Sequence, residues 1–218
     1  MDTEGVYDNR KAAGERLADL LGQREWPPST LVIALPRGGV PVAAVIASRL
    51  KLALDVLIVR KLGLPQDPEV AMGAIASGGV TMINDWICAS LPNPAEVLNE
   101  VITVESEELR RREELYRPDR EPLAVEGRTV IVVDDGLATG ATMRAAIETL
   151  RRRGADRCVV AVPVASWDAR DDLAKVADEV LCPIVPKEFI GVGRHYVDFA
   201  QTSDAEVREL LAEANLVR

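Results

Sequence analysis

Two adjacent carboxylates, Asp134 and Asp135, follow the apolar run Thr129-Val130-Ile131-Val132-Val133 and precede Gly136-Leu137-Ala138-Thr139-Gly140-Ala141-Thr142. A run of β-branched residues with two apolar faces predicts a fully buried strand at 129–133. Residues 143–153 carry a helical pattern, so the order is strand, glycine-rich turn, helix N-terminus. That order builds an anion site from backbone N–H groups and the positive end of a helix dipole. The glycines let the main chain approach a phosphate closely, and Thr139 and Thr142 add hydroxyl donors. Two carboxylates cannot hold phosphate themselves, because like charges repel. They suit hydroxyl groups or a divalent cation. The ligand described by these residues has a phosphate at one end and a polyol at the other, as a phosphorylated sugar does.

The elements that must position this chemistry alternate along the chain. Apolar spacing predicts a helix over 8–22, a short buried strand at 31–35, and a helix over 40–50 with Pro41 in its first turn, a permitted place. A second apolar strand covers 54–59 and leads into Arg60-Lys61. Residues 70–76 and 80–83, separated by Ser77-Gly78-Gly79, predict a β-hairpin. A long helix follows over 94–116, with Val97, Val101, Val104 and Leu115 on one stripe. Its charged residues, Glu105, Glu107, Glu108 and 110–114, read as a solvated, salt-bridged face. After the central strand and the 143–153 helix come a strand at 157–164, a helix at 167–177 and a short strand at 179–182. Residues 186–202 are irregular. The last helix, 203–214, has Ser203 as its N-cap and Glu206 in capping-box position. Alternating strands and helices predict an α/β fold, with a mainly parallel sheet flanked by helices. Ligands of such sheets sit at the carboxyl ends of the strands. Three polar turns fall there: 36–39, Arg60-Lys61, and 134–142.

The run Asp134-Asp135-Gly136-Leu137-Ala138-Thr139-Gly140-Ala141-Thr142, behind its apolar strand, resembles the phosphoribosyl diphosphate (PRPP) binding motif of the type I phosphoribosyltransferases. The resemblance covers the core, about residues 30–165. It implies that Asp134 and Asp135 contact the ribose hydroxyls and, through these or water, a Mg2+ ion. It implies that residues 136–142 wrap the 5′-phosphate. Arg37 with Gly38 and Gly39 then stands where the family has its pyrophosphate loop. That loop can contain a cis peptide, for which Leu35-Pro36 is the cheaper candidate here. Arg60-Lys61 resembles a basic pair that family members direct at pyrophosphate, although lone basic pairs usually decorate a surface. Residues 63–84 would be the flexible catalytic loop that closes over substrate, with Asp67 and Glu69 as acids of no assigned role. Residues 183–202 match the hood, which receives the accepting base, and Phe189, Ile190 or Tyr196 could stack on a planar ring. His195, the sole histidine, is more often structural than catalytic in such a setting. Asp198 is either a hood hydrogen-bonder or a structural acid.

The implied reaction displaces pyrophosphate from C1 of PRPP by a nitrogen acceptor, with Mg2+ as cofactor, in a homodimer. Members acting on 6-oxopurines carry a third acid three places after the second carboxylate. Here that position is Ala138, so the order is more like the adenine, orotate or uracil branches. A module that binds PRPP without turnover is the alternative. A Walker-type kinase or NTPase is excluded by the lack of Gly-Lys-Ser/Thr, and a serine hydrolase by the lack of Gly-x-Ser-x-Gly. Gly191-Val192-Gly193 lacks the third glycine and the strand-to-helix setting of a dinucleotide fingerprint.

Composition agrees with this reading. The 218 residues, 48% hydrophobic and 28% charged, predict one globular domain over 1–218, with its core at about 30–182. The net charge of −9 argues against nucleic-acid or anionic-membrane binding by long-range attraction. The first residues lack the apolar core of a signal peptide, and no apolar run spans a bilayer, so the expected location is cytoplasmic. Cys88, Cys158 and Cys182 are odd in number and widely spaced, and read as thiols.

Overall fold

Apolar strands build a five-stranded sheet with two covered faces. The computed structural model describes residues 5–67, 70–118, 121–122 and 124–216, with side chains as far as residue 214. Glu69 lies outside the described residues. Strands β1 (Leu31–Ala34), β2 (Ala53–Val56), β6 (Thr129–Val133), β7 (Arg157–Ala161) and β8 (Glu179–Leu181) form a parallel sheet in the order β2-β1-β6-β7-β8. Val32, Ala34, Ile131, Val133, Val159 and Ala161 point to one side, against helices α1 (Arg10–Leu21), α2 (Gly39–Leu50), α4 (Pro94–Tyr116) and α7 (Asp204–Leu216). Leu31, Ile33, Val130, Val132, Cys158 and Val160 point to the other, against α5 (Ala141–Arg152) and α6 (Trp167–Leu173). These side chains are all buried, as a period of two between two helical layers requires.

The predicted strand at 54–59 is two strands. β2 ends at Val56, and β3 (Val59–Gly63) belongs to a separate antiparallel sheet with β4 (Ala71–Ala76) and β5 (Val80–Ile83), followed by the short α3 (Asp85–Cys88). The crossing is made at Leu57, whose N–H still bonds Ala34 O at 3.0 Å, and Ile58, which already pairs with Ser77. Residues 54–59 are apolar apart from Asp55, with no glycine or proline, so the pattern alone runs through the break. A buried ion pair marks it: Arg117 Nε donates to Asp55 Oδ1 at 2.9 Å, and a second Arg117 nitrogen donates to Val56 O. The small sheet packs between α4 and α5.

On α4 the packed stripe is Leu98, Val101, Ile102, Leu109 and Tyr116, with Val97 and Leu115 at its margins. Val104 instead stands 64% exposed, because it falls about a third of a turn from that stripe. Glu105, expected on the solvated face, is half-buried on the stripe and pairs with Arg60. Ser203 Oγ accepts from Glu206 N at 3.1 Å, as the last helix's N-cap should. All three cysteines are free thiols, Cys88 and Cys158 buried. Among the described residues no helix is long and apolar enough to cross a membrane.

Candidate active site

The central strand β6 ends at Val133 and delivers Asp134 and Asp135 to the carboxyl edge of the sheet. The turn after β1 meets them there. A β-carbon on Gly38 would collide with Asp135 Oδ2, and one on Gly39 would stand 2.9 Å from Asp134 Cα. Only a residue without a side chain permits so close an approach. The turn between β1 and α2 therefore lies directly against the acid pair, as two loops converging on one ligand require. Its cis peptide bond is Pro36-Arg37, one residue later than the Leu35-Pro36 bond that the sequence suggests. Arg37 lies 3.8 Å from Asp204 of α7.

The sequence shows no partner for either carboxylate, and the structure supplies one for Asp135. Arg10, from the first turn of α1, brings Nε and Nη2 each within 2.8 Å of Asp135 Oδ2. Asp134 Oδ1 accepts from Asp135 N at 2.9 Å. Burial, then the neighbouring Asp135 charge, pushes the Asp134 carboxyl well above the usual carboxylate range. Burial also raises Asp135, and Arg10 offsets part of that rise. Arg10 escapes a reading of the sequence because 125 positions separate it from its partner. Nothing in an amphipathic first helix distinguishes it from a surface arginine.

The loop over 136–142 is anchored at Leu137 and Ala138. Leu137 N donates to Val164 O at 2.9 Å and Leu137 O accepts from Ser166 N at 3.0 Å, with the Leu137 side chain buried. Leu137 thus fastens the loop to the segment after β7 and offers a ligand no side-chain surface. Ser166 Oγ donates to Ala138 O at 2.7 Å. Gly140 caps α5 with φ 71°, a left-handed conformation that favours glycine. Thr139, Ala141 and Thr142 border a cavity of 330 Å³ that also touches Lys61, Gly73, Asn84 and Arg144.

Arg60 and Lys61 are strand residues of β3 and not a turn. Successive strand side chains face opposite ways. Lys61 lines the cavity beside Thr139 and Thr142, whereas Arg60 Nε bonds Glu105 of α4 at 2.6 Å. The structure does not bring the two together on one ligand group.

In the hood, Phe189 stacks on His195 with ring centroids 6.1 Å apart, and Ile190 is 76% exposed. Tyr196 is buried and donates its hydroxyl to Asp135 O at 2.6 Å. It braces the acid pair from behind and cannot also stack on an incoming ring. His195 Nδ1 lies 3.1 Å from Gly5 O, a structural partner. Asp198 Oδ1 accepts from Ala200 N at 3.0 Å, closing its own turn. Val192, from a 3-10 turn over Val192–His195, leans over Gly136, so the hood touches the 136–142 loop at its first residue.

The comparisons with known proteins point the same way. The phosphoribosyl transferase domain family matches residues 3–197. Two proteins of Mycobacterium tuberculosis, from strains CDC 1551 / Oshkosh and ATCC 25618 / H37Rv, carry provisional phosphoribosyl transferase names. Each is 43% identical over 210 residues, which is 96% of this chain and 47% of the relative. The chain thus spans about half the length of these curated relatives. A solved protein of Thermus thermophilus is 40% identical, with a TM-score of 0.85, over 95% of this chain and 98% of its own. A Neisseria gonorrhoeae protein, solved with bound ppGpp, shares only the fold: 15% identity and a TM-score of 0.51 over 95% of this chain and 94% of its own. On the strength of the matched domain and of an acid pair, glycine turn and hydroxyl-rich loop gathered at one edge of the sheet, the chain belongs to the phosphoribosyl transferase family.

Proposed function

We propose that the chain transfers the phosphoribosyl group of PRPP to a nitrogen acceptor of nucleobase type and releases pyrophosphate. The observation that carries this reading is the contact of the 36–39 turn with Asp134 and Asp135, beside the 136–142 loop. Two loops at one sheet edge supply separate partners for the three parts of such a ligand. The amides of 136–142 other than that of Leu137, which Val164 O holds, take the 5′-phosphate with Thr139, Thr142 and the N-terminus of α5. Asp134 and Asp135 accept from the ribose hydroxyls. Arg37 and the amide of Gly38 hold the diphosphate, the Gly39 N–H being spent on Leu35 O within the turn.

Oxygen donors alone at the end of β6 fit Mg2+ held through ribose hydroxyls or water, with Asp134 and Asp135 as the residues concerned. Bound there, the ion would offset charge on the leaving group. The protein's own part is orientation. The acid pair fixes the ring, and the two anion loops pull its ends apart along the scissile C1–O bond. Positive charge developing on the ribose meets carboxylates already in place. Lys61 approaches from the small sheet, next to the phosphate loop. Phe189 and Ile190 remain the hood's candidates for the acceptor ring.

The test is pyrophosphate release on incubation with PRPP, Mg2+ and a panel of nucleobases and amines. Release with one acceptor, abolished in the Asp134→Asn, Asp135→Asn double variant, supports the reading. Tight PRPP binding with no release for any acceptor would turn it toward a PRPP-sensing module. Undiminished PRPP affinity in the folded double variant would refute the site.

A further inference from the structure

Residues ahead of the central core are part of the site. The N-terminal arm pairs with the hood in parallel: Tyr7 N donates to His195 O at 2.9 Å, Val197 N to Tyr7 O at 2.8 Å and Asp198 N to Asp8 O at 2.9 Å. The Tyr7 and Tyr196 rings lie 5.7 Å apart, and those of Tyr196 and Phe199 5.0 Å apart. The arm then turns into α1, and its first residue, Arg10, reaches into the centre of this assembly.

Every nitrogen of the Arg10 guanidinium is engaged. Nε and Nη2 meet Asp135 Oδ2, Nη1 donates to Ala200 O at 2.6 Å, and the plane lies 4.0 Å from the Phe199 ring centroid. Its side chain is 12% exposed. A surface arginine making one opportunistic pair would leave donors in water. This one spans the hood and the acid pair with a planar fork whose geometry a lysine cannot reproduce. Meanwhile Asp135 O accepts from Tyr196, so hood residues hold the same aspartate at its backbone and, through Arg10, at its carboxylate.

We propose that Arg10 is a positioning residue of the ribose site. It commits Asp135 Oδ2, leaves Oδ1 without a side-chain hydrogen bond among the described residues, and locks the orientation of that carboxylate to the hood. Arm, hood and acid pair then form one mechanical unit, in which a change at the ribose site is felt where the acceptor docks. Its ligand rests on the reading given under "Proposed function"; its geometry does not.

The experiment has two arms, chosen so that the two readings fail separately. In the ligand-free protein, amide hydrogen exchange at Val197 and Asp198 is measured in wild type, Arg10→Gln and Asp135→Ala. Both variants should exchange about ten- to a hundredfold faster there, the scale of a lost charge-assisted hydrogen bond. Wild-type protection of these amides in Asp135→Ala would overturn the coupling. In the second arm, Mg2+–PRPP affinity is measured by calorimetry for wild type, Arg10→Lys and Arg10→Gln, each first shown to melt cooperatively. Affinity should fall roughly tenfold or more in Arg10→Gln, with Arg10→Lys between the two. Equal affinity of folded Arg10→Gln and wild type would overturn the positioning role. If wild type binds no PRPP, the proposed function falls and the exchange arm alone decides the clasp.

Discussion

Asp134 stands where function and stability pull in opposite directions. Its carboxyl is pushed upward by burial and by the charge of Asp135. A carboxyl raised in the folded state binds protons there that the unfolded chain has already released. Stability therefore falls as pH rises from the ordinary carboxylate value through the folded one, and the cost is complete above it. An amide mimics the protonated form. We expect Asp134→Asn to raise the melting temperature in metal-free buffer at neutral pH by a few degrees, on a scale of about 2–4 °C per kcal/mol for a chain of this length. The same variant should lose PRPP binding. Calorimetric melting checks the first half, and a lower or unchanged melting temperature would contradict the burial argument. The acid pair itself was legible from sequence, because an ordinary strand-to-helix turn has no use for two carboxylates at a buried strand's end. The partner of Asp135 was not, since only tertiary folding brings α1 to β6. Nor was the role of Tyr196, whose aromatic ring predicts stacking equally well on a ligand or on its own neighbours.

Elements explain what residue types could not. The helices and most strands follow from apolar periodicity, and the closing helix is capped as Ser203 and Glu206 suggest. The exception is the apolar run 54–59, which carries no local sign that it changes sheets. Read as one strand, that run makes Arg60-Lys61 a turn at the sheet edge, when the pair is part of β3 with its two side chains on opposite faces. The consequence is measurable. Lys61→Ala should weaken Mg2+–PRPP binding about tenfold, the loss of one charge-assisted contact. Arg60→Met should leave affinity within about twofold and act on the small sheet, through its partly buried pair with Glu105. Titration calorimetry on both variants tests this, and the reverse ranking would show that Arg60, and not Lys61, is the cation that meets the ligand.

At the scale of the whole molecule, two sheets of different kind are joined by a two-residue crossing and a buried ion pair. The Arg117 and Asp55 side chains are 5% and 12% exposed. Breaking such a pair costs about 3–5 kcal/mol, and the Arg153 charge that also faces Asp55 sets the loss at the lower end of that range. We expect Arg117→Met to lose about 3 kcal/mol in a urea melt. The double variant Arg117→Met, Asp55→Leu should recover part of that, because Asp55 Oδ1 also accepts from Val56 N. A loss as large in the double as in the single variant would mean that shape, and not charge, holds the junction. The parallel sense of the main sheet and its two apolar layers were readable from the alternation of strands and helices, but its strand order was not. The pairing of residues 7–8 with the hood was not, because isolated bridges between irregular segments leave no periodic trace.

The crossing at Leu57 and Ile58 constrains the chain's length as strictly as its chemistry. Strand side chains alternate, so one residue gained or lost between Val56 and Arg60 would rotate β3 by half a turn. The guanidinium would then face the 136–142 loop and the ammonium would face α4, with no amino acid substituted. Spacing here is itself a determinant of which cation meets the ligand.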